Sequence, residues 1–273
     1  MPIARHALIA ILVSGIFTLT HAGAVQQADR RLPGTASGQA GSERRLALVV
    51  GNSAYPEVPL KNPVNDARAV GATLREVGFD VTEAFDLRRS QFERAVDAFV
   101  FRLRTGDVAL FYYAGHGFQI EGENYFVPVD FSAVDVADAK YEAYAASRVH
   151  EKIADRGVRL VLIVLDACRG NPFRATRSAA GGGWAAMGAG RGSYIVFATA
   201  PGQTASDNPA AANGLFTQHL VDALREPGLG LDAVFNRVRA AVARASGDRQ
   251  VPWTTSSVVG EFVFRPGRAG ARS

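Results

Sequence analysis

The sequence contains a single cysteine, Cys168, in a chain of 273 residues. One thiol cannot form a disulfide within its own chain, so a disulfide-stapled fold is excluded. The spacings typical of zinc sites, Cys-x-x-Cys and His-Glu-x-x-His, are also absent, and we expect no metal site. Such a lone cysteine is packed in a core, paired with another chain or chemically reactive, and composition alone does not choose among these.

Lysine is scarce as well, because it occurs only at Lys61, Lys140 and Lys152. The formal net charge of +4 comes from scattered arginines rather than from a basic run, which argues against nucleic acid as a partner. The sequence also has no Walker loop, no convincing dinucleotide-binding fingerprint and no Gly-x-Ser-x-Gly motif. Nucleotide-binding enzymes and serine hydrolases are therefore disfavoured.

The sequence also lacks an apolar run long enough to cross a membrane comfortably. The N-terminal run Ala7–Thr20 is shorter than the roughly 20 residues of a membrane-spanning helix. Arg5 precedes this run and Ala22-Gly-Ala24 follows it, which is the pattern of a cleaved export signal. We predict a signal peptide over residues 1–24, a periplasmic or secreted location, and no stable membrane insertion after cleavage. The alternative is that this segment stays as an uncleaved anchor.

The rest of the chain divides into a linker, one domain and a tail. Residues 25–43 are small and polar, as in a flexible linker, and residues 266–273 are predicted to form a disordered tail. Between them, residues 44–265 alternate apolar strand patterns with amphipathic helix patterns. Continuous Val/Ile/Leu strands separated by helices predict an α/β fold, in which a mostly parallel central sheet carries helices on both faces.

Local signals predict where several of these elements begin and end. Asn65 is expected to cap a helix that begins at Asp66. Ser90 and Glu93 match a capping box at the start of the next helix. The apolar runs predict, among others, strands over residues 108–113, 158–165 and 257–264.

Two of the predicted strands end in residues that can do chemistry. One is followed by Ala114-Gly-His116-Gly117, and the other by Asp166-Ala-Cys168-Arg-Gly170. Parallel strands place their carboxyl ends at one edge of a sheet, where an imidazole can activate a thiol. The main-chain N–H groups of Gly117 and Cys168 could then hold an oxyanion. The alternative, a buried structural cysteine, leaves the pairing of the two strand ends unexplained.

These motifs resemble those of the caspase-like cysteine peptidases, specifically their metacaspase and bacterial caspase-domain branch. The family signature has an Ala-Cys-Arg-Gly type segment with a histidine about fifty residues earlier, and here the interval is 168 − 116 = 52 residues. The resemblance covers about residues 44–264. The segments that carry it include Leu46–Tyr55, Leu60–Ala67, Tyr112–Gly117, Ala198–Gln203 and Gly214–Thr217.

The resemblance implies a caspase-like three-layer sandwich and a catalytic dyad of His116 and Cys168, with Gly117 in the oxyanion site. It also places Asp66 and Asp166 in the pocket for the residue before the scissile bond. Two carboxylates attract Arg or Lys, whereas classical caspases use arginines and select Asp. From the residues alone, Asp66 could instead stabilise the N-terminus of its own helix. Asp166 could likewise bond to neighbouring loop backbone.

The resemblance has three further implications. Self-cleavage is expected after Arg174, Arg177 or Arg191, which flank or lie in the Ala/Gly-rich loop after the cysteine. Calcium activates many metacaspases, although no ligand positions can be assigned here and no other cofactor is expected. Protein or peptide substrates are the expected partners, and the alternative is a catalytically silent module that binds or scaffolds.

His150 belongs to none of the motifs that carry the resemblance and lies beside charged residues, so its side chain is predicted to be solvated.

Overall fold

The fold is described from a computed structural model, which covers residues 43–168, 185, 187–200 and 211–267. The predicted signal peptide, Arg174, Arg177 and most of the predicted linker and tail lie outside the described residues. In the described part of the chain, fourteen elements follow one another. They are β1 (Arg45–Gly51), α1 (Pro63–Glu76), β2 (Asp80–Phe85), α2 (Arg89–Arg102), β3 (Val108–Ile120), β4 (Glu123–Phe126), α3 (Val136–Glu142), β5 (Tyr144–Ala145), α4 (Ala146–Ala154), β6 (Leu160–Cys168), β7 (Ser193–Phe197), α5 (Leu215–Leu224), α6 (Leu231–Ser246) and β8 (Trp253–Ser256).

The central sheet is mostly parallel, as predicted. Its strand order is β2-β1-β3-β6-β7-β8, and only β8 runs antiparallel to its neighbour. Beyond the sheet, β4 pairs antiparallel with the end of β3 and with the short β5. β2 lies on one side of β1 and β3 lies on the other, so the order in which strands are added to the sheet changes direction at β1. Ligand sites in such sheets lie at the carboxyl ends of the strands, beside the point where the strand order changes direction.

Side chains that alternate along β3 show why the sheet is covered on both faces. Leu110 and Tyr112 belong to a buried cluster with residues of α1, α5 and α6. Phe111 and Tyr113 belong to a second buried cluster with residues of α2 and α4. Because successive side chains of a strand point to opposite faces, a continuous apolar strand requires helices on both sides. The α/β sandwich predicted from the sequence is thereby confirmed.

The structure corrects both predicted helix starts. The first helix begins at Pro63, with Asn62 as its N-cap, rather than after Asn65. Proline at the first helical position has its φ already fixed near the helical value, and its missing N–H costs no hydrogen bond there. The second helix begins at Arg89 instead of after Ser90, and the Gln91 side chain accepts the backbone N–H of Arg88.

The strands that lead to the candidate site are longer than predicted. β3 continues from Tyr113 through His116 to Ile120, and β6 continues to Cys168. The reason lies in pairing between distant segments, since the β3–β6 register runs unbroken from Val108 to His116 and from Leu160 to Cys168. Asp166 and Cys168 therefore lie within a strand, and their prediction as loop residues was wrong.

The predicted last strand over residues 257–264 was also wrong. The edge strand is β8, just before that segment, and among residues 257–267 only Val263 and Arg265 form isolated bridges. The segment closes over the end of the sheet where β1 begins. There the Arg45 guanidinium donates to the carbonyls of Val263 at 3.2 Å and Phe264 at 2.7 Å, and to that of Val77 at 3.3 Å.

Replacing Arg45 by alanine is expected to lower the free energy of unfolding by about 2–3 kcal/mol, because three carbonyls lose a charged donor. The Arg45 side chain is only 16% exposed, so water replaces these bonds poorly. Urea unfolding of the purified domain measures the change. The control is Arg237→Ala, which removes a 60% exposed partner of Glu226 and should change stability by less than about 0.5 kcal/mol. Equal effects of the two substitutions would contradict the role given to Arg45.

No helix in the described ranges is both long enough and apolar enough to cross a membrane.

Candidate active site

The site lies where β3 and β6 run side by side at their carboxyl ends. In the register of this parallel pair, His116 lies opposite Cys168, and two positions earlier Ala114 lies opposite Asp166. Adjacent strands lie about 5 Å apart, so the backbones of His116 and Cys168 are direct neighbours. The two strand ends that the sequence singled out are therefore at one edge of the sheet.

The imidazole of His116 is oriented by a loop that follows β1. Its Nε2 lies 2.8 Å from the carbonyl oxygen of Val58, and its ring packs 4.4 Å, centroid to centroid, from the ring of Tyr55. A carbonyl oxygen can only accept a hydrogen bond, so Nε2 carries the proton in this contact. In the neutral ring, Nδ1 is then the basic nitrogen that can take up or return a proton.

Asp66 forms one half of an acidic pair beside this edge. It lies in the first turn of α1 and is only 3% exposed. Its Oδ1 accepts the backbone N–H of Gly214 and the side-chain amide of Asn213, both at 2.9 Å. Gly214 is the N-cap of α5, so the carboxylate sits at the positive end of that helix dipole. From the sequence alone, Asp66 could stabilise the N-terminus of its own helix. The structure places its carboxylate at the N-termini of two helices, α1 and α5.

Asp166 forms the other half of the pair. Its Oδ2 accepts the hydroxyl of Thr217 at 2.7 Å, and that hydroxyl oxygen in turn accepts the hydroxyl of Tyr112 at 2.6 Å. Burial, together with the nearby Asp166 and Asp66 carboxylates, raises the pKa of Tyr112 well above its ordinary value of 10.0. The phenol therefore stays protonated and remains a donor at all physiological pH values. The sequence allowed a bond from Asp166 to loop backbone, whereas the bond described here is to a residue of α5.

Gly214 shows that the two carboxylates share one small space. A methyl group built at this glycine would lie 3.1 Å from Oδ2 of Asp66 and 3.6 Å from Oδ2 of Asp166. Both oxygens thus face the same point beside the start of α5. Two carboxylates that face one space favour a cationic side chain there.

Residues 44–263 match the sequence profile of the caspase domain of the C14 peptidases. This chain belongs to that caspase-domain family of cysteine peptidases. The solved structure of caspase-1 from Spodoptera frugiperda has a similar fold, with a TM-score of 0.57 at 18% identity over 83% of this chain and 92% of that chain.

Two curated relatives are similar in sequence over about half of this chain. The mucosa-associated lymphoid tissue lymphoma translocation protein 1 homolog of Mus musculus is 32% identical over 137 residues, which are 49% of this chain and 16% of that protein. The protein of that name from Homo sapiens is 33% identical over 129 residues, 46% of this chain and 15% of that protein. This chain therefore matches only about a sixth of the length of either relative.

Within the caspase domain, the register of β3 and β6 sets His116 beside Cys168, with Gly117 next on β3 and Asp166 two positions before Cys168 on β6. Asp66 joins Asp166 beside Gly214. Of the predicted self-cleavage sites, only Arg191 is among the described residues. It is exposed, in a turn closed by a hydrogen bond from the Ser193 N–H to the Gly190 carbonyl at 3.0 Å. Cleavage after Arg191 would require this turn to open.

The residues that orient these groups were not found from the sequence. Tyr55 and Val58 lie near one end of the domain sequence, and Thr217 lies near the other, far along the chain from the partners they contact. The sequence did contain a weak signal for two of these residues, Tyr55 and Thr217. The segments that carry the family resemblance include Tyr55 and Thr217, although nothing in their spacing assigns either residue a partner.

His150 is not the solvated residue that the sequence suggested. It is half-buried on α4, and its Nε2 lies 2.8 Å from Oγ of Ser193. Burial lowers the pKa of its imidazole below the ordinary value of 6.5. The described part of the chain contains no cluster of His, Cys, Asp and Glu side chains that could hold a metal ion.

Proposed function

We propose that this caspase domain is an exported cysteine endopeptidase that cleaves after Arg or Lys. The observation that carries the proposal is the register of β3 and β6, which sets His116 beside Cys168 at the carboxyl edge of the sheet. Membership of a cysteine peptidase family supports the reaction class. Export is proposed on the sequence pattern of residues 1–24 alone.

In the proposed reaction, the thiolate of Cys168 attacks the carbonyl carbon of the scissile peptide bond. The carbonyl oxygen becomes an oxyanion, which accepts hydrogen bonds from the main-chain N–H groups of Gly117 and Cys168. His116 gives a proton to the leaving amine, the C–N bond breaks, and an acyl thioester remains on Cys168. His116 then takes a proton from water, whose oxygen attacks the thioester and releases the free acid and the thiolate.

The acidic pair accounts for the proposed specificity. A substrate arginine or lysine that enters the space beside Gly214 would meet the Oδ2 atoms of Asp66 and Asp166. An aspartate side chain there would meet two like charges, which disfavours its binding. The two carboxylates are fixed in advance by Asn213, Gly214 and Thr217, so little ordering is needed when the substrate binds.

Four fluorogenic peptides that differ only in the residue before the cut test this specificity. The four residues are Arg, Lys, Asp and citrulline, which has the shape of arginine without its charge. We expect cleavage after Arg and Lys, with kcat/KM at least about 100-fold lower for Asp and citrulline because the charged contacts are lost. Preferential cleavage after Asp would refute the role of the acidic pair. No cleavage of any peptide, together with a Cys168 that does not react with alkylating reagents, would favour a silent binding module.

A further inference from the structure

Tyr55 holds the backbone of His116 directly. It is a buried residue, 7% exposed, in the loop after β1. Its hydroxyl oxygen accepts the backbone N–H of His116 at 2.9 Å. This hydrogen bond fixes the backbone N–H of His116 against the loop after β1, which is 61 positions earlier in the sequence. The residue that follows β4 also holds His116, because the Val127 N–H donates to the His116 carbonyl at 3.1 Å.

A second tyrosine completes the arrangement. The hydroxyl of Tyr113 donates to the carbonyl of His116 at 2.7 Å, and the hydroxyl of Tyr55 donates to the carbonyl of Val127 at 3.1 Å. The Val127 carbonyl lies 3.1 Å from both hydroxyl groups, and each phenol has one proton. When Tyr113 donates to the closer carbonyl of His116, Tyr55 is the donor to Val127. Burial raises the pKa of Tyr55 and of Tyr113 far above 10.0, so both phenols keep their protons.

Gly115 makes room for the two hydroxyl groups. Its φ is +154°, a backbone conformation that side chains rarely allow. A Cβ at this position would lie 2.7 Å from the hydroxyl oxygens of both Tyr55 and Tyr113. The glycine directly before His116 therefore lets both phenols approach the histidine backbone.

The loop of Tyr55 also sets the direction of the imidazole. The Tyr55 ring packs on the His116 ring, and three residues later the carbonyl of Val58 meets Nε2. The loop is itself fixed at its start, because Oδ1 of Asp86 accepts the N–H groups of Ser53 at 2.7 Å and Ala54 at 2.9 Å. One short segment thus controls both the backbone position and the ring orientation of His116.

We propose that Tyr55 is a positioning residue for His116, with its hydroxyl as the essential group. The inference rests on the proposed function, since it assigns His116 the proton transfers. Tyr55 does not touch the substrate in this view. Loss of its hydroxyl would leave substrate affinity intact and displace the imidazole from the geometry that proton transfer requires.

The test compares Tyr55→Phe with Tyr194→Phe in the full chain. Both substitutions remove one hydroxyl from a buried ring, but that of Tyr194 donates to Asp232 at 2.8 Å, near the opposite ends of the strands. We expect kcat to fall at least about tenfold in Tyr55→Phe with KM unchanged, whereas Tyr194→Phe keeps both constants. Tyr113→Phe, which loses the bond to the His116 carbonyl, should lower kcat in the same way. Unchanged kcat in folded Tyr55→Phe would overturn the proposal. If Tyr55→Phe fails to fold, an unchanged kcat in folded Tyr113→Phe would overturn it instead.

A second readout does not depend on peptide hydrolysis. The ring nitrogen signals of His116, assigned by their loss in His116→Ala, report its tautomer by nuclear magnetic resonance. We expect Tyr55→Phe to shift the tautomer population of His116 and Tyr194→Phe to leave it unchanged. If the wild-type chain hydrolyses no peptide while Tyr55→Phe still shifts these signals, the proposed function fails and the positioning role stands. If the wild type is active and Tyr55→Phe leaves both kcat and the signals unchanged, only the positioning role fails.

Discussion

Alanine in place of Cys168 is expected to abolish the cleavage of Arg and Lys peptides. No other side chain of this chain carries a thiol, so no second residue can form the acyl thioester. Loss of the nucleophile in hydrolases of this kind costs at least about 10⁴-fold in kcat. The measurement is kcat for the fluorogenic Arg peptide, with circular dichroism to show that the variant is folded.

Replacing His116 by alanine in the same series tests whether His116 and Cys168 act together in catalysis or independently. If the residues act as a unit, the double variant Cys168→Ala/His116→Ala should be no slower than Cys168→Ala alone. His116→Ala by itself should lose about 10²–10⁴-fold, the range of general acid–base catalysis. Hydrolysis that survives in folded Cys168→Ala would refute the assignment of the nucleophile, provided that the protein is free of other peptidases. A double variant slower than either single variant would show that His116 acts outside the dyad.

Asparagine in place of Asp166 is expected to lower kcat/KM for the Arg peptide by about 30-fold or more. This corresponds to about 2 kcal/mol, the lower end of the cost of removing one partner from a buried charge pair. The substitution is nearly isosteric, and the new amide oxygen can still accept the Thr217 hydroxyl. Asp66→Asn should behave likewise, because its amide oxygen can still accept the Gly214 N–H. The change therefore removes charge while the packing is kept.

The ratio of kcat/KM for the arginine and citrulline peptides isolates this charge effect. The ratio should fall towards one in Asp166→Asn and in Asp66→Asn. The matched control is Asp232→Asn, whose carboxylate accepts the Tyr194 hydroxyl near the other ends of the strands and should leave the ratio as in the wild type. If Asp166→Asn and Asp66→Asn both keep the same arginine-to-citrulline ratio as the wild type, the acidic pair does not select the substrate.

The sheet and the residues at its edge could be predicted from the sequence because they depend on short patterns. The apolar runs before His116 and Asp166 predict buried parallel strands, and the carboxyl ends of such strands share one edge. The ends of the strands could not be predicted in the same way. β3 and β6 extend to His116 and Cys168 because they pair with each other there, and that pairing is formed between distant parts of the chain.

The supporting contacts could not be predicted for the same reason. Tyr55 and His116 are 61 positions apart, and Thr217 and Asp166 are 51 positions apart. No local propensity links such residues, since only the finished fold brings them together. The start of α1 was missed for a different reason: Asn65 is a good capping residue, but Pro63 two positions earlier has its φ already fixed in the helical range.

The absence of a side chain at position 214 has a consequence for how the proposed substrate pocket could change its specificity. The negative charge beside Gly214 comes from α1 and β6, whereas the space next to the two carboxylates is bounded by the N-cap of α5, a residue that has no side chain. In the proposed enzyme, size selection and charge selection would thus depend on separate segments of the chain. A single added methyl at 214 would lie 3.1 Å from Oδ2 of Asp66 and take up part of the space proposed for the substrate side chain, which would crowd a broad guanidinium more than a slender ammonium.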